Sequence, residues 1–335
     1  MTRLVLIDGN AILHRAYHAL PPLTSPDGTM VNAVYGFVSI LIKLFQELRP
    51  THIAIAFDRA APTFRKTLYK EYQASRPKME DALVGQIGYV HDVAAAFGIP
   101  NFELDGYEAD DVIGTIVHKE LPMDEMIIVT GDKDLLQLVD DARCIRAYMP
   151  TKGLSEGKLF GEKEVVEKMG VLPKQIPDLK ALMGDSSDNY PGVAGIGPKT
   201  AVGLITSYGS IEKLYDEVKG KKQSLKKKGK AGEGETLFIG AREKLLNGQE
   251  MARMSKDLAT IRTDVPIAFT TDSARVASLD TPEARAKLEE LHFPSLIKRL
   301  GKSTSDASTT KTRPRFSCQS KKEKKKLASE QQELF

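Results

Sequence analysis

The stretch LVLID at residues 4–8 decides the fold: four apolar residues without a break, closed by an aspartate. A run this short and apolar at every position suits a strand covered on both faces, since a half-exposed strand would alternate. HIAIAFD (52–58) and MIIVTGD (126–132) repeat both the pattern and the terminal acid. Helical periodicity marks 31–48, 81–98 and 109–120, and NFELD (101–105) and ARCIRAYMP (142–150) read as further strands. Strands alternating with helices imply an α/β fold, a largely parallel sheet with helices on both faces.

From about residue 160 helical patterns take over, at 161–170, 174–184, 211–218, 238–247 and 281–300. The segment 219–230 holds seven lysines and reads as an exposed loop. Residues 301–335 lose apolar content and carry nine Lys or Arg against four Asp or Glu, the composition of a disordered basic tail. The expected organisation is therefore 1–160, 161–300 and 301–335.

Bulk properties narrow the function little: 335 residues, 41% hydrophobic, formal net charge +3. The most apolar long stretch, Val31 to Leu48, is broken by Asn32, Gly36, Ser39 and Lys43, which excludes it as a membrane span. The N-terminus reaches Asp8 too soon for a signal peptide. Two cysteines, Cys144 and Cys318, without zinc spacing, fit a reducing cytoplasm.

The acids say more. Ligands of open parallel sheets gather at the carboxyl ends of strands, so Asp8, Asp58 and Asp132 should meet on one edge. One such Asp would be a helix cap or a loop residue; three are harder to dismiss. YEADD (107–111) opens a helix with Glu108, Asp110 and Asp111. The helix dipole accounts for one or two of these, but three in four residues repel unless a cation neutralises them. TGDKDLL (130–136) adds Asp134, and the Gly- and Ser-rich turn GDSSDN (184–189) adds Asp185 and Asp188. Each alone reads as a plain turn. Together they give nine carboxylates, the donor type magnesium prefers. Two ions about 4 Å apart stabilise both the attacking and the leaving oxygen of a phosphodiester displacement. The sequence offers no convincing Ser or Cys triad.

Two segments suggest nucleic acid. GIGPKTA (195–201) fits a helix–hairpin–helix turn. Gly195 and Gly197 let backbone approach phosphate, and Lys199 and Thr200 open the next helix. The segment 61–81 interleaves Arg65, Lys66, Lys70, Arg76 and Lys78 with Phe64, Tyr69 and Tyr72. Cations there can pair phosphates and aromatics can stack on bases; a solvated basic helix with inward aromatics fits equally well.

In order along roughly residues 1–300, LIDGN, AFD, TFR, YEADD, TGDKDLLQL, GDSSDNYPGV, GIGPKTA and SKDLATIRTDVP (255–266) resemble the 5′-nuclease, or flap endonuclease, family. The likeness is greatest to the 5′→3′ exonuclease domain of bacterial DNA polymerase I, and the expectation is a stand-alone version of it. The resemblance implies a PIN-like core, a helical arch at about 61–81, and a helical DNA-binding region with a helix–hairpin–helix at 191–205. It implies a metal site of Asp8, Asp58, Glu108, Asp110, Asp111, Asp132, Asp134, Asp185 and Asp188. Glu108, Asp110, Asp132 and Asp134 would centre on one Mg2+, Asp185 and Asp188 on a second, and Asp8, Asp58 and Asp111 would act through water. Mn2+ would substitute, and K+ would sit at the hairpin. Arg65, Lys70 and Arg76 would face the scissile phosphate and Tyr72 the DNA. One position departs: Gln73 stands where the arch pattern has lysine.

The chain ends QQELF, and Gln331, Leu334 and Phe335 resemble the peptide by which bacterial replication proteins dock on the sliding clamp. The expected activity is structure-selective 5′→3′ exonuclease and 5′-flap endonuclease action on DNA and on RNA primer–DNA junctions in replication and repair, in the cytoplasm at the nucleoid. The alternatives are a non-catalytic flap-DNA scaffold and a PIN-type ribonuclease. A complete acidic set argues against the first, and the hairpin and arch against the second.

Overall fold

A computed structural model describes residues 1–152, 156–220 and 233–301. Its centre is a six-stranded sheet of β1 (Arg3–Asp8), β2 (His52–Ala56), β3 (Asn101–Phe102), β4 (Glu125–Val129), β5 (Ile145–Lys152) and β6 (Glu156–Phe160), in the order β3-β2-β1-β4-β5-β6. β1 pairs in parallel on both sides, with Leu4 opposite His52 and Met126, and only β6 is antiparallel, to β5. The chain builds outward from β1 through β2 to β3, then returns to the other side of β1 with β4. The carboxyl edge between β1 and β4 is thus the topological switch point, where adjacent loops diverge and leave a crevice.

The unbroken apolar runs are explained by two covered faces. Val5, Ile7, Ile53, Ile55, Ile127 and Val129 point into one core, and Leu4, Leu6, Ala54, Ala56, Met126 and Ile128 into the other. The first face is covered by α1 (Gly9–Ala19), α2 (Asn32–Leu48) and α4 (Asp81–Ala96). The second is covered by α5 (Ala109–His118). α3 (Phe64–Leu68) lies on the carboxyl side. α1 crosses α2 closely at Gly36, where a Cβ would stand 2.8 Å from that of Ala16.

A helical unit follows: α6 (Glu162–Met169), α7 (Ile176–Met183), α8 (Pro198–Tyr208), α9 (Ile211–Gly220), α10 (Glu233–Asn247) and α11 (Gln249–Ala259). Its core includes Leu179, Leu182, Leu204, Leu214 and Leu245. The chain then returns to the sheet. Ile261, Val265, Phe269 and Ala274 pack beside α5, while α12 (Pro282–Glu290) and α13 (Pro294–Leu300) bring Leu288, Phe293 and Leu296 beside α2.

Four expectations change. Within the expected helical region 161–300, the apolar residues after 260 find their cover on the sheet. The helical pattern of 281–300 is two helices, broken where His292 takes a φ of 57° ahead of Pro294. α1 and β6 went unread. α1 begins on the strand-ending Asp8 itself, and β6 is a short edge strand with a glycine at its second position. The expected helical arch is one short helix, α3, followed by turns through Ser75. Most of the lysine-rich loop and the tail lie outside the described residues. No helix of the described residues is long and apolar enough to cross a membrane.

Candidate active site

The strand-end acids meet at the switch point. Asp8 closes β1 and caps α1, with Oδ1 accepting from the Ala11 amide at 3.0 Å and Oδ2 from the Thr130 hydroxyl of the β4 edge at 2.7 Å. Thr130 in turn accepts from the Asp132 amide at 2.9 Å, and Asp132 Oδ1 from the Asp134 amide at 2.8 Å. Asp58, beyond β2, accepts from the Ala109 amide at 2.7 Å, while its own amide donates to Asn10 Oδ1 at 3.0 Å. Strand-end hydrogen bonds therefore tie the β1, β2 and β4 loops and the start of α5 into one rim.

α5 supplies the next three acids. Glu108 is its N-cap and forms a reciprocal capping box with Asp111, whose Oδ2 accepts the Glu108 amide at 3.0 Å. Asp110 lies against the rim, and burial first, then Asp132, Asp8, Asp58 and Glu108, push its carboxyl well above the usual range. Burial likewise raises Asp8 to about 7, with Asp58 and Asp132 adding repulsion. Glu108 rises to about 7 by burial, against the pull of Arg65. Crowded carboxylates that lean toward neutrality are what a cation-binding site looks like before its cations are counted.

The last group lies across the crevice, on the loop after α7. Carboxylate oxygens of Asp134, Asp185 and Asp188 lie within 4.8 Å of one another. Gly184 shapes this loop: its φ is 73°, and a Cβ would stand 2.6 Å from the backbone of Tyr190 and Pro191. Asp185 pairs its backbone with Tyr190, donating at 2.8 Å and accepting at 3.0 Å. An all-oxygen set at this spacing fits a hard divalent cation.

The cationic side departs from expectation at two residues. Arg65 is only 2% exposed and forks onto Asp111 at 2.7 and 2.8 Å, with Nε donating to the Leu258 carbonyl at 2.8 Å. The Arg262 amide also donates to Asp111, at 2.8 Å. Asp111, itself 0% exposed, is thus committed to protein donors, and the buried Arg65 also brings Nη1 to 3.3 Å from Glu108 Oε2 on the rim. Tyr72 is 4% exposed, donates to Glu108 at 3.2 Å, and stacks on Tyr190 with centroids 6.4 Å apart, so in this structure it packs inward and not toward a base. Position alone, in a basic and aromatic run, cannot distinguish an inward cation from an outward one.

Arg76 does reach the acids, donating to Asp188 at 2.6 Å from a half-exposed side chain. Gln73 holds the same residue twice, its amide donating to the Asp188 carbonyl at 2.8 Å and its side chain to Oδ1 at 3.3 Å. Lys66 donates to the Tyr72 carbonyl at 2.8 Å, and Lys70 is exposed. At the hairpin, Gly195 takes a φ of 78°, while a Cβ on Gly197, the N-cap of α8, would meet open space. Lys199 and Thr200 follow in the first turn of α8. The Gly195 carbonyl accepts from Lys244 at 2.9 Å. Gln331, Leu334 and Phe335 lie outside the described residues.

Sequence reading missed Thr130, Asn10 and Lys180. Lys180 is 5% exposed and its ammonium contacts both Asp134 and Asp185. No local signal marks it: Ile176 to Leu182 are all buried, so α7 has no single apolar face that Lys180 would interrupt.

A mostly parallel sheet that gathers carboxylates at its switch point, joined to a helical unit with a glycine hairpin, defines a nuclease of the carboxylate-lined class. Residues 3–170 match the 5′-3′ exonuclease N-terminal resolvase-like domain and residues 171–282 the 5′-3′ exonuclease C-terminal SAM fold, and the chain belongs to this 5′-3′ exonuclease family. It is 41% identical over 301 residues to a DNA polymerase I of Caldicellulosiruptor bescii, covering 89% of this chain and 33% of the relative. It is 39% identical over 310 residues to that of Bacillus subtilis, covering 91% and 33%. The chain thus spans about a third of the length of these curated relatives. Its fold is similar to a bacteriophage T5 flap endonuclease solved with DNA and metal ions (TM-score 0.57, 20% identity, 91% of this chain and 97% of that one). It is also similar to the catalytic core of Rad2 solved with a DNA substrate (TM-score 0.55, 16% identity, 89% and 91%).

Proposed function

We propose that this protein is a divalent-metal-dependent, structure-selective 5′→3′ exonuclease and 5′-flap endonuclease that hydrolyses phosphodiesters of DNA and of RNA primers at primer–DNA junctions. The observation that carries this reading is the meeting of acids from distant segments on one edge, with Asp134, Asp185 and Asp188 within 4.8 Å of one another. The donor set fits Mg2+, with Mn2+ as substitute: oxygen only, crowded, and pushed toward protonation first by burial and then by the neighbouring carboxylates. Glu108, Asp110, Asp132 and Asp134 would hold one ion and Asp185 and Asp188 the other. Bound there, two ions supply charge stabilisation to the attacking and leaving oxygens of an in-line displacement.

The protein's own groups do the rest. Asp8, anchored by Ala11 and Thr130, and Asp58, anchored by Ala109, orient the rim and offer water-mediated contacts. Arg76 and Lys70 are the cations available to the scissile phosphate. Arg65 and Asp111 act as a buried pair that fixes the start of α5. Gly195, Gly197, Lys199 and Thr200 would seat the duplex backbone through close approach and the amides opening α8. A potassium ion at the hairpin would share the Gly195 carbonyl with Lys244. The peptide Gln331, Leu334, Phe335 would tether the nuclease to a sliding clamp, and so to the nucleoid.

The test is a labelled 5′-flap DNA incubated with Mg2+, with EDTA, and with Asp132→Ala protein. Cleavage in Mg2+ alone is expected. No cleavage in any arm would support a scaffold, and preference for single-stranded RNA a ribonuclease.

A further inference from the structure

Lys180 is a cation of the site that the acidic motifs themselves do not announce. It lies on α7 with its side chain 6% exposed, and its ammonium contacts both Asp134 and Asp185. Asp134 enters from the β4 edge and Asp185 from the loop after α7, so Lys180 bridges the two halves of the acidic crevice. Asp134 and Asp185 are also two of the three residues whose oxygens close on one point. The ammonium therefore occupies the carboxylates that a divalent ion at this point would need.

Burying a lysine among apolar neighbours is costly unless its charge is met, and here two carboxylates meet it. The exchange is mutual. Without Lys180, Asp134, Asp185 and Asp188 would face one another with Arg76, on a half-exposed side chain, as the remaining ion-pair partner among the described residues. Resting on the metal reading of this cluster, we propose that Lys180 is a resident counter-ion that competes with divalent metal for Asp134 and Asp185. It holds the crevice together when ions are absent and weakens the ion sites that Asp134 and Asp185 serve until substrate phosphate adds its own ligands.

The prediction concerns metal binding, separately from catalysis. Mn2+ alone, without DNA, is titrated into the full chain and free ion is counted by EPR. Lys180→Met, close in volume and uncharged, should tighten the weaker Mn2+ site by about tenfold, a change of about 1.4 kcal/mol. Lys180→Arg, which retains the charge, should stay near wild type. Unchanged or weaker Mn2+ binding in Lys180→Met overturns the proposal. Absence of Mn2+ binding in wild type and variant alike would instead overturn the metal reading on which it rests. A measurement on wild type covers the case in which Lys180→Met fails to fold. The protected ammonium resonance of Lys180 in a lysine 15N spectrum should move or exchange out on Mg2+ saturation. A resonance indifferent to Mg2+ refutes competition.

Discussion

Replacing Arg65 by Met separates two meanings of a basic residue beside an active site. The guanidinium donates to both oxygens of Asp111 at 2.7 and 2.8 Å, to Leu258 O at 2.8 Å and to Thr260 O at 3.3 Å. Removing it leaves Asp111, 0% exposed, with the Glu108 and Arg262 amides as its remaining donors, and two carbonyls short of a partner. Breaking a buried ion pair from one side costs about 3–5 kcal/mol, because the surviving charge is stranded. Urea unfolding of Arg65→Met should show a loss of that size, and Asp111→Leu in the same chain should recover much of it, because the stranded charge is gone. Lysine at position 65 should recover little, since one ammonium cannot reproduce the fork. If Arg65→Met loses less than about 1 kcal/mol while flap cleavage collapses, the buried-pair argument is wrong and Arg65 acts on substrate.

Three further outcomes are expected. Asp8, Glu108 and Asp134 are each raised to about 7 in the fold, so the metal-free folded state binds more protons than the unfolded chain between about pH 4 and 7. Stability in EDTA should therefore fall by a few kcal/mol as pH rises through that window, and Mg2+ should reverse the fall at pH 8; a melting temperature in EDTA that rises from pH 5 to 8 would contradict this. Gln73→Lys should preserve or raise turnover on a 5′ flap, since it restores a cation beside Asp188; a large loss in single-turnover assays would mean the segment is misaligned with the family pattern. Deleting residues 331–335 should abolish capture by an immobilised sliding clamp and leave flap cleavage intact, and undiminished capture would dismiss the peptide.

Much of the site was legible because its chemistry is local to short motifs. Each strand that is covered on both faces must be continuously apolar, so the first polar residue marks where the strand leaves the sheet; Asp8 is that residue, with Asp58 and Asp132 a few positions past β2 and β4. The arch segment holds less helix than its sequence suggests. Its residues have helical propensity, but the turns after α3 are held by contacts with Asp188, Asn189 and Tyr190, more than a hundred residues away.

Sequence by itself determined the two-sided sheet, the edge on which the acids collect and the family, because apolar period and motif order are properties of the chain. Only tertiary structure decided which charges face which. Asp111 and Asp110 are neighbours in the chain, yet one is sealed against Arg65 and the other faces the rim, because successive helical positions point about 100° apart. Lys180 reads as an ordinary surface lysine until α7 packs against the β4 edge and sets its ammonium between Asp134 and Asp185. Burial decides whether a charge is a ligand, a partner or a stand-in, and burial is a property of the packed chain.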